Sequence, residues 1–257
     1  MNRLQGKTAL VTGAAAGIGA AVARLFCSQG AAVLMVDQDG AELLARCKEI
    51  AKQVRVARVA QFAADVADAD LAHAAVAQAL ATFGQLDILI NNAAMRNYAA
   101  LAEATPQEWQ AMLGVNLQGP ANYCRAALPA LRRGGRGAIV NVSSCYAVTG
   151  RKGMGLYDAT KAGLLALTRT LAHEEAAHGV RANAICPGPT LTDFHVNKAR
   201  AAGKPIEQLG TEREHATLLG RWATPLEIAW PVLWLASDEA AYVTATTLMV
   251  DAGLHTL

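Results

Sequence analysis

The sequence is poor in aromatic residues and has no long apolar run. Phe, Trp and Tyr make up 5% of the 257 residues, which gives little reason to expect a large flat ligand. No stretch approaches the ~20 consecutive apolar residues that a membrane-spanning helix needs. The N-terminal "MNRLQGKTALVTG" leads straight into a strand-like run, with no apolar signal segment. We therefore expect a soluble, cytoplasmic protein with no membrane partner.

Charge, cysteine and histidine are also sparse, and each pattern excludes a class of function. The net charge is +2 and the basic residues are scattered, whereas a nucleic-acid interface needs a dense Lys/Arg face. Five cysteines without CxxC spacing predict free thiols in a reducing compartment. The six histidines form no HExxH or paired spacing. We expect neither a nucleic-acid partner nor a metal site.

Hydrophobic residues make up 53% of the chain, and short apolar runs alternate with helical patterns from end to end. Strand-like runs occupy 8–13, 32–37, 56–65, 86–93, 137–144 and 180–188, and helical patterns occupy 17–30, 40–53, 68–83 and a stretch that begins near 157. The strands are almost continuously apolar, as expected when helices cover both faces of a sheet. This pattern predicts an α/β fold, with a doubly wound parallel sheet in a single domain over 1–257.

Two capping boxes, "TPQE" at 105–108 and "TPLE" at 224–227, mark further helix starts. The least regular stretch is 188–217, which is polar and interrupts the alternation of strands and helices. An insertion after the carboxyl end of a strand is where a substrate lid would lie. A pair of surface helices without a function is the alternative.

A glycine-rich turn connects the first strand to the first helix. "TGAAAGIG" runs from Thr12 to Gly19, and such a turn can bring backbone amides close to a pyrophosphate. Asp37 ends the second strand, where a carboxylate can bind the adenosine ribose and repel a 2′-phosphate. No basic residue occurs at 14–16, and Gln38 follows Asp37. These features favour NAD over NADP as the cofactor.

The stretch "YDATK" places Tyr157 and Lys161 four residues apart, on one face of a helix. A phenol can act as a base near neutral pH only if its pKa falls from about 10. A nearby ammonium group and an oxidised nicotinamide would both favour the phenolate. Ser144, at the end of a strand, can hydrogen-bond the substrate oxygen. We expect Tyr157 to be the acid/base, with Lys161 lowering its pKa and binding the ribose.

Taken together, "TGAAAGIG", "NNAA" (91–94), Asn116, Ser144, "YDATK" and "PGPTLT" (187–192) resemble the short-chain dehydrogenase/reductase family over essentially the whole chain. The resemblance implies a Rossmann-type domain with a seven-stranded sheet, usually a homotetramer. It also implies that Asn116 helps to hold a water beside Lys161 in a proton relay. The implied cofactor contacts, besides Tyr157 and Lys161, are Gly13, Ala16, Gly17, Ile18, Gly19, Asp37, Asp65, Val66, Asn92, Ala93, Val115, Pro187, Gly188, Thr190 and Thr192.

Two positions depart from the family pattern. "NNAA" replaces the more usual Asn-Asn-Ala-Gly, so Ala94 adds a methyl group, and "VDAG" (250–253) places Ala252 where a glycine is usual. Neither position carries a proton-transfer group. We expect both to affect local packing or a subunit contact.

The resemblance implies reversible hydride transfer between a nicotinamide and a secondary alcohol or ketone. The segments 95–98 and 147–154 are polar and partly basic, which suits a sugar, a polyol or another small hydroxy compound. Arg96, Tyr146, Arg151 and His195 are the candidate substrate contacts, and Arg96, Arg151 or Lys152 could oppose a carboxylate or sulfonate. Alternatives are a 3-oxoacyl substrate, a cyclic diol or ketone, or an NAD-sensing protein without catalysis.

Overall fold

The computed structural model describes residues 2–205, residue 209 and residues 215–257. Its centre is a seven-stranded parallel sheet in the order β3-β2-β1-β4-β5-β6-β7. The strands are β1 (Thr8–Thr12), β2 (Ala32–Asp37), β3 (Arg58–Ala63), β4 (Ile88–Asn91), β5 (Ala138–Val142), β6 (Arg181–Pro187) and β7 (Thr247–Val250). The six strands expected from the apolar runs are present with slightly shorter bounds, and the expected doubly wound parallel fold is confirmed.

The helices α1 to α9 span Gly17–Ser28, Gly40–Gln53, Ala69–Phe83, Pro106–Leu113, Gly119–Gly134, Tyr146–Thr149, Gly155–Glu175, Asp193–Ala201 and Pro225–Ala236. Both expected capping boxes are present, since Thr105 and Thr224 each exchange hydrogen bonds with the glutamate three residues on. A π-helical turn, Gly114–Gln118, joins α4 to α5. Such turns often occur at functional sites, and this one contains Asn116.

Side chains that alternate along each central strand divide the core into two layers. On β1, Val11 packs with α1, α2 and α9, whereas Leu10 packs with α3, α5 and α7. All residues of β1, β4 and β5 are buried. Burial on both faces explains why these strands read as continuous apolar runs instead of alternating ones.

Chain order reverses between β1 and β4, because β1 is followed by β2 on one side while β4 lies on the other. In open parallel sheets, ligands bind at this point, beyond the carboxyl ends of the strands. The segments after β1, β2, β4, β5 and β6 therefore meet at one edge. The expected lid, 188–217, contains α8 at this edge, while residues 206–208 and 210–214 of that segment lie outside the described residues.

Candidate active site

A cavity of about 650 Å³ opens at the carboxyl edge of the sheet. It brings together residues that lie far apart in the chain. The predicted site residues that line it are Gly13, Ala16, Gly17, Ile18, Asp37, Asn92, Ala93, Arg96, Ser144, Tyr146, Arg151, Tyr157, Lys161, Pro187, Gly188, Thr190, Thr192 and His195. Most of the sequence-derived candidates thus share one cavity.

The glycine-rich turn is held tightly against the end of β4. Gly13 has a φ of +64°, and a Cβ there would lie 2.7 Å from the Cα of Ala93. The Asn92 side chain donates hydrogen bonds of 3.0 Å to the carbonyl oxygens of Thr12 and Gly13. A Cβ at Gly19 would lie 2.0 Å from the Gly13 oxygen. Gly19 therefore serves the packing of the turn and does not line the cavity.

Asp37 is partly exposed and tied to the same turn. One carboxylate oxygen accepts a hydrogen bond of 3.0 Å from the backbone N–H of Ala15, and the other accepts one of 3.2 Å from Asp39. The sequence reasoning missed a nearby cation: Arg46 donates to the Ala15 carbonyl oxygen at 3.2 Å. The Arg46 guanidinium also pairs with two carboxylates of its own helix, Glu42 and Glu49.

Tyr157, Lys161 and Ser144 lie together at the other end of the cavity, and all three are buried. The Lys161 Nζ lies 5.7 Å from the centre of the Tyr157 ring and donates a 2.8 Å hydrogen bond to the Val142 carbonyl oxygen. The Ser143 hydroxyl donates to the Lys161 carbonyl oxygen at 2.8 Å. The end of β5 therefore fixes α7, which carries both Tyr157 and Lys161.

Burial dominates the acid–base properties of both groups in the protein alone. It raises the pKa of Tyr157, and the charges of Arg96 and Arg151 act against that rise. Burial also lowers the pKa of Lys161 to about 7, helped by repulsion from Arg96. The expected lowering of the Tyr157 pKa is thus absent from the protein alone. It requires further positive charge beside the phenol, because burial favours the neutral form.

Asn116 lies near this group, and its side chain binds the segment after β4 and α7. Its Oδ1 accepts a 2.8 Å hydrogen bond from the Met95 N–H, and its Nδ2 donates to the Met95 carbonyl oxygen at 2.9 Å. The same Nδ2 lies 3.1 Å from the Thr160 hydroxyl oxygen. Asn116 is completely buried and does not line the cavity. Its side chain holds the segment after β4 to α7.

Three other predicted cofactor contacts do not line the cavity either. Asp65 is exposed and accepts a hydrogen bond from the backbone N–H of Ala67. Val66 is buried, and a Cβ at Gly119 would lie 2.9 Å from its Cγ2 atom. Val115 packs with the α3–α5–α7 side of the core. The predicted cofactor contacts of Asp65, Val66 and Val115 thus lie outside this cavity.

Two of the four predicted substrate contacts, Arg96 and Arg151, lie directly beside the Tyr157 ring. The Cζ atoms of Arg96 and Arg151 lie 5.7 and 5.5 Å from the centre of the Tyr157 ring. Arg151 also lies over the Tyr146 ring, at 3.8 Å, and pairs with the buried carboxylate of Asp158 at 3.3 Å. The fourth, His195, takes part in the N-terminal cap of α8 with Thr192 and contacts Trp222.

Sequence reasoning missed several residues of this site. Asp158 follows Tyr157 directly, but nothing in the sequence indicated that it would hold Arg151. Thr12 accepts hydrogen bonds from the N–H groups of Asn92 and Ala93. Phe194 and Lys198 line the cavity from α8, and only the lid segment as a whole had been singled out.

Among residues 2–205 and 215–257, no group of three or more His, Cys, Asp or Glu side chains is arranged to hold a metal ion. No helix in the described part of the chain is long and apolar enough to cross a bilayer. All five cysteines are free thiols. Ala94 lines the cavity, whereas Ala252 has a φ of +54°, which explains why a glycine would suit that position.

Comparisons with known proteins agree with this geometry. A family model described as enoyl-(acyl carrier protein) reductase matches residues 13–255. A D-threitol dehydrogenase of Mycolicibacterium smegmatis is 38% identical over 256 residues, covering 98% of this chain and 94% of that protein. A 3-oxoacyl-acyl-carrier-protein reductase of Thermotoga maritima is 35% identical over 255 residues, covering 98% and 99%.

Solved structures include a similar protein, the L-sorbose reductase of Gluconobacter frateurii in complex with NADPH and L-sorbose. It has a TM-score of 0.94 and 29% identity, with 100% of both chains covered. The fold, the family model and relatives above 30% identity over nearly the full chain all agree. The chain belongs to the short-chain dehydrogenase/reductase family.

Proposed function

We propose that this chain is an NAD-preferring oxidoreductase that transfers hydride reversibly between the nicotinamide and a secondary alcohol or ketone. The observation that carries the proposal is the shared cavity, in which Ser144, Tyr157 and Lys161 lie with the glycine-rich turn and Asp37. A cofactor-sensing protein would not need a buried tyrosine and lysine beside a serine. Burying an ionisable lysine costs free energy. A catalytic role of Lys161 would explain why this lysine is nevertheless buried.

The residues present fit a dinucleotide. Gly13 and Gly17 have positive φ values, and a side chain at Gly13 would collide with the backbone of Ala93, while one at Gly19 would collide with the backbone of Gly13. The N–H groups at the start of α1 would bind a pyrophosphate, which would replace the Asp193 carboxylate that accepts a hydrogen bond of 3.3 Å from the Gly17 N–H. Asp37 would hold the adenosine ribose, and Thr190 and Thr192 the nicotinamide end. A 2′-phosphate favours binding by a free guanidinium. Arg46 does not provide one, because it is paired with Glu42 and Glu49.

A bound oxidised nicotinamide would supply a hydride acceptor and a positive charge near the phenol. In the oxidative direction, Ser144 would orient the substrate hydroxyl, and Tyr157 would take its proton. Lys161 would favour the phenolate and bind the ribose. Arg96 and Arg151 would act in the same direction as Lys161, because their charges already oppose the rise in the Tyr157 pKa. The reverse direction uses the same groups, with Tyr157 as the acid.

The substrate that we propose is a small polar hydroxy compound of the sugar or polyol type. The polar and basic lining near Tyr157 supports it, as do the names of two similar proteins, a D-threitol dehydrogenase and an L-sorbose reductase. The experiment is a panel of polyols, sugars, hydroxy acids and cyclic diols, assayed with NAD and with NADP by nicotinamide absorbance. A higher kcat/KM with NADP, or no turnover of any alcohol or ketone, would contradict the proposal.

A second candidate is a reductase of 3-oxoacyl thioesters, which the 35% identity to the Thermotoga maritima protein supports. Acetoacetyl thioesters with the reduced cofactor test it directly. Turnover of the thioester at a kcat/KM above that of every compound in the panel would favour this candidate over the polyol.

We also propose that the protein works in the cytoplasm as a homotetramer, on the family resemblance. A mass measurement in solution tests the assembly. A monomer or dimer at assay concentration would contradict it.

A further inference from the structure

The cavity carries several basic side chains near Tyr157. Arg96, Arg151 and Lys161 lie beside the Tyr157 ring, and Asp37 is the one acidic side chain among the described lining residues. Asp37 ends β2, and Ser144 follows β5, three strands away in the sheet. Since neighbouring strands lie about 4.8 Å apart, these ends are about 14 Å apart. The carboxylate of Asp37 therefore compensates little of the positive charge at the reacting end.

Of the two guanidinium groups beside Tyr157, Arg96 is the less compensated. Among the described residues it pairs with no carboxylate, and its contacts are the rings of Tyr157 at 5.7 Å and Phe194 at 4.9 Å. A guanidinium presents five N–H donors in a planar fork that matches a carboxylate. The side chain is exposed at the cavity, so these donors are accessible to a ligand.

The backbone next to Arg96 and the side chain of the neighbouring Arg151 are both held in place. Met95, directly before Arg96, makes two hydrogen bonds with the buried side chain of Asn116. On the other side of Tyr157, Arg151 is held between the Tyr146 ring and the buried Asp158 carboxylate. Two loops from the adjacent strands β4 and β5 thus present guanidinium groups to one ring. A preorganised pair of this kind binds a planar anion with little loss of side-chain freedom.

We propose that Arg96, assisted by Arg151, binds a carboxylate of the substrate, so that the alcohol oxidised beside Tyr157 is a hydroxy acid. This inference rests on the proposed function and narrows its substrate class. The hydroxyl proton goes to Tyr157, and the electron pair of the adjacent C–H bond leaves as hydride to the oxidised nicotinamide. The products are a keto acid, the reduced nicotinamide and one proton. Sugar acids and short hydroxy acids both belong to this class.

The test compares acids with neutral compounds of the same skeleton. The pairs are lactate with propane-1,2-diol, 3-hydroxybutyrate with butane-1,3-diol, and gluconate with glucitol, with both enantiomers where they exist. We expect the acid of at least one pair to have a kcat/KM at least tenfold above that of its neutral partner. If no acid is preferred in any pair while a neutral polyol is turned over, the inference is wrong and the proposed function stands.

The variant Arg96→Gln distinguishes a loss of substrate binding from an effect on the protonation of Tyr157. Loss of a carboxylate contact raises KM for the acid at least tenfold and changes the neutral partner little. Loss of a charge that acts only on Tyr157 lowers kcat for both compounds equally and shifts the pH profile upward. That second result would overturn the inference. Lys152→Gln is the matched control, because Lys152 is exposed and does not line the cavity; we expect it to keep the preference for the acid.

A binding measurement covers the case in which no compound is turned over. Tyr157→Phe with reduced cofactor is titrated with each acid and its neutral partner, followed by nicotinamide fluorescence. Tighter binding of an acid, lost when Arg96→Gln is added, supports the carboxylate site even if the proposed catalysis fails. Equal binding within all three pairs, or binding unaffected by Arg96→Gln, contradicts the site. Sulfonate and phosphate analogues of the best acid then show whether the site accepts other anions.

Discussion

The Nζ of Lys161 lies 5.7 Å from the centre of the Tyr157 ring while it donates a hydrogen bond to the end of β5. The ammonium group is therefore anchored to the sheet, and its distance from the phenol is set by the fold. Because burial acts against the charged form of both groups, neither is a strong base or cation in the protein alone. Ionisation of the Tyr157 phenol therefore depends on added positive charge, which an oxidised nicotinamide would supply.

Tyr157→Phe removes the hydroxyl that we propose transfers the proton, and it leaves the ring. We expect kcat to fall by about 10²–10⁴-fold, the usual contribution of general acid–base catalysis, with the Kd of the reduced cofactor changed by less than about threefold. Steady-state rates and fluorescence titration measure both. Tyr123→Phe is the matched control, since its buried hydroxyl has no hydrogen-bond partner among the described residues. Full activity of Tyr157→Phe would remove Tyr157 from the mechanism.

Lys161 makes stability depend on pH. In the folded protein its pKa is about 7, whereas the unfolded chain keeps this proton up to a pKa of about 10.4. The unfolded state therefore binds more protons between these values, and stability rises with pH there, by at most about 1.4 kcal/mol per unit. We expect Lys161→Met to remove this slope in the cofactor-free protein.

The measurement is urea unfolding from pH 7 to 8.5. The upper limit matters because burial raises the pKa of Cys27, Cys124 and Cys145 to about 12. As the pH approaches the unfolded thiol pKa, near 8.5, the unfolded chain loses thiol protons that the folded state keeps, which lowers the slope of the wild type and of Lys161→Met alike, so the Lys161 contribution is the difference between the two slopes. Lys152→Met serves as the exposed control. Equal slopes for the wild type and Lys161→Met would show that the buried lysine keeps its proton.

Asp37→Ser tests the cofactor preference. Removing the carboxylate would remove the proposed acceptor for the ribose hydroxyls and the proposed repulsion of a 2′-phosphate. We expect the ratio of kcat/KM with NAD to that with NADP to fall at least tenfold. Asp39→Ser is the control, because serine can still cap α2, where Asp39 accepts from the Glu42 N–H. An unchanged ratio in Asp37→Ser would mean that residues other than Asp37 determine the cofactor preference.

Asn116→Ala should loosen the segment that carries Arg96. The substitution leaves the Met95 N–H and carbonyl without their partner, which costs about 1–3 kcal/mol. We expect a higher KM for the substrate and weaker discrimination between acid and neutral compounds. Asn122→Ala is matched, because buried Asn122 donates to the Ala67 carbonyl oxygen, away from the cavity. If both variants lose only stability, Asn116 has no positioning role.

Ala252→Gly should stabilise the protein. Ala252 has a φ of +54°, a left-handed conformation that costs a residue with a Cβ about 1–2 kcal/mol. Part of this gain is offset by the greater freedom of glycine in the unfolded chain, so we expect about 0.5–1 kcal/mol in urea unfolding. Ala241→Gly, at a φ of −56°, is expected to destabilise by a similar amount. A loss of stability in Ala252→Gly would mean that the methyl group packs favourably.

The sequence by itself determined the fold class and the chemical groups at the site. Buried strands read as continuous apolar runs, and this local signal predicted six strands close to their observed bounds. Strand ends and the first helix then placed Gly13, Asp37 and Ser144 on one edge, because parallel strands share their carboxyl ends. Tyr157 was identified from its spacing to Lys161 and from the family resemblance.

Tertiary structure alone decided which side chains meet and what their charges do. That Asp158 holds Arg151, that Arg46 reaches the glycine-rich turn, and that Asn116 binds Met95 each depend on contacts between separate elements. The pKa directions of Tyr157 and Lys161 likewise depend on burial, which no single segment sets. Burial and long-range contacts arise from the packing of separate elements. A sequence pattern indicates only which face of a single helix or strand a residue lies on.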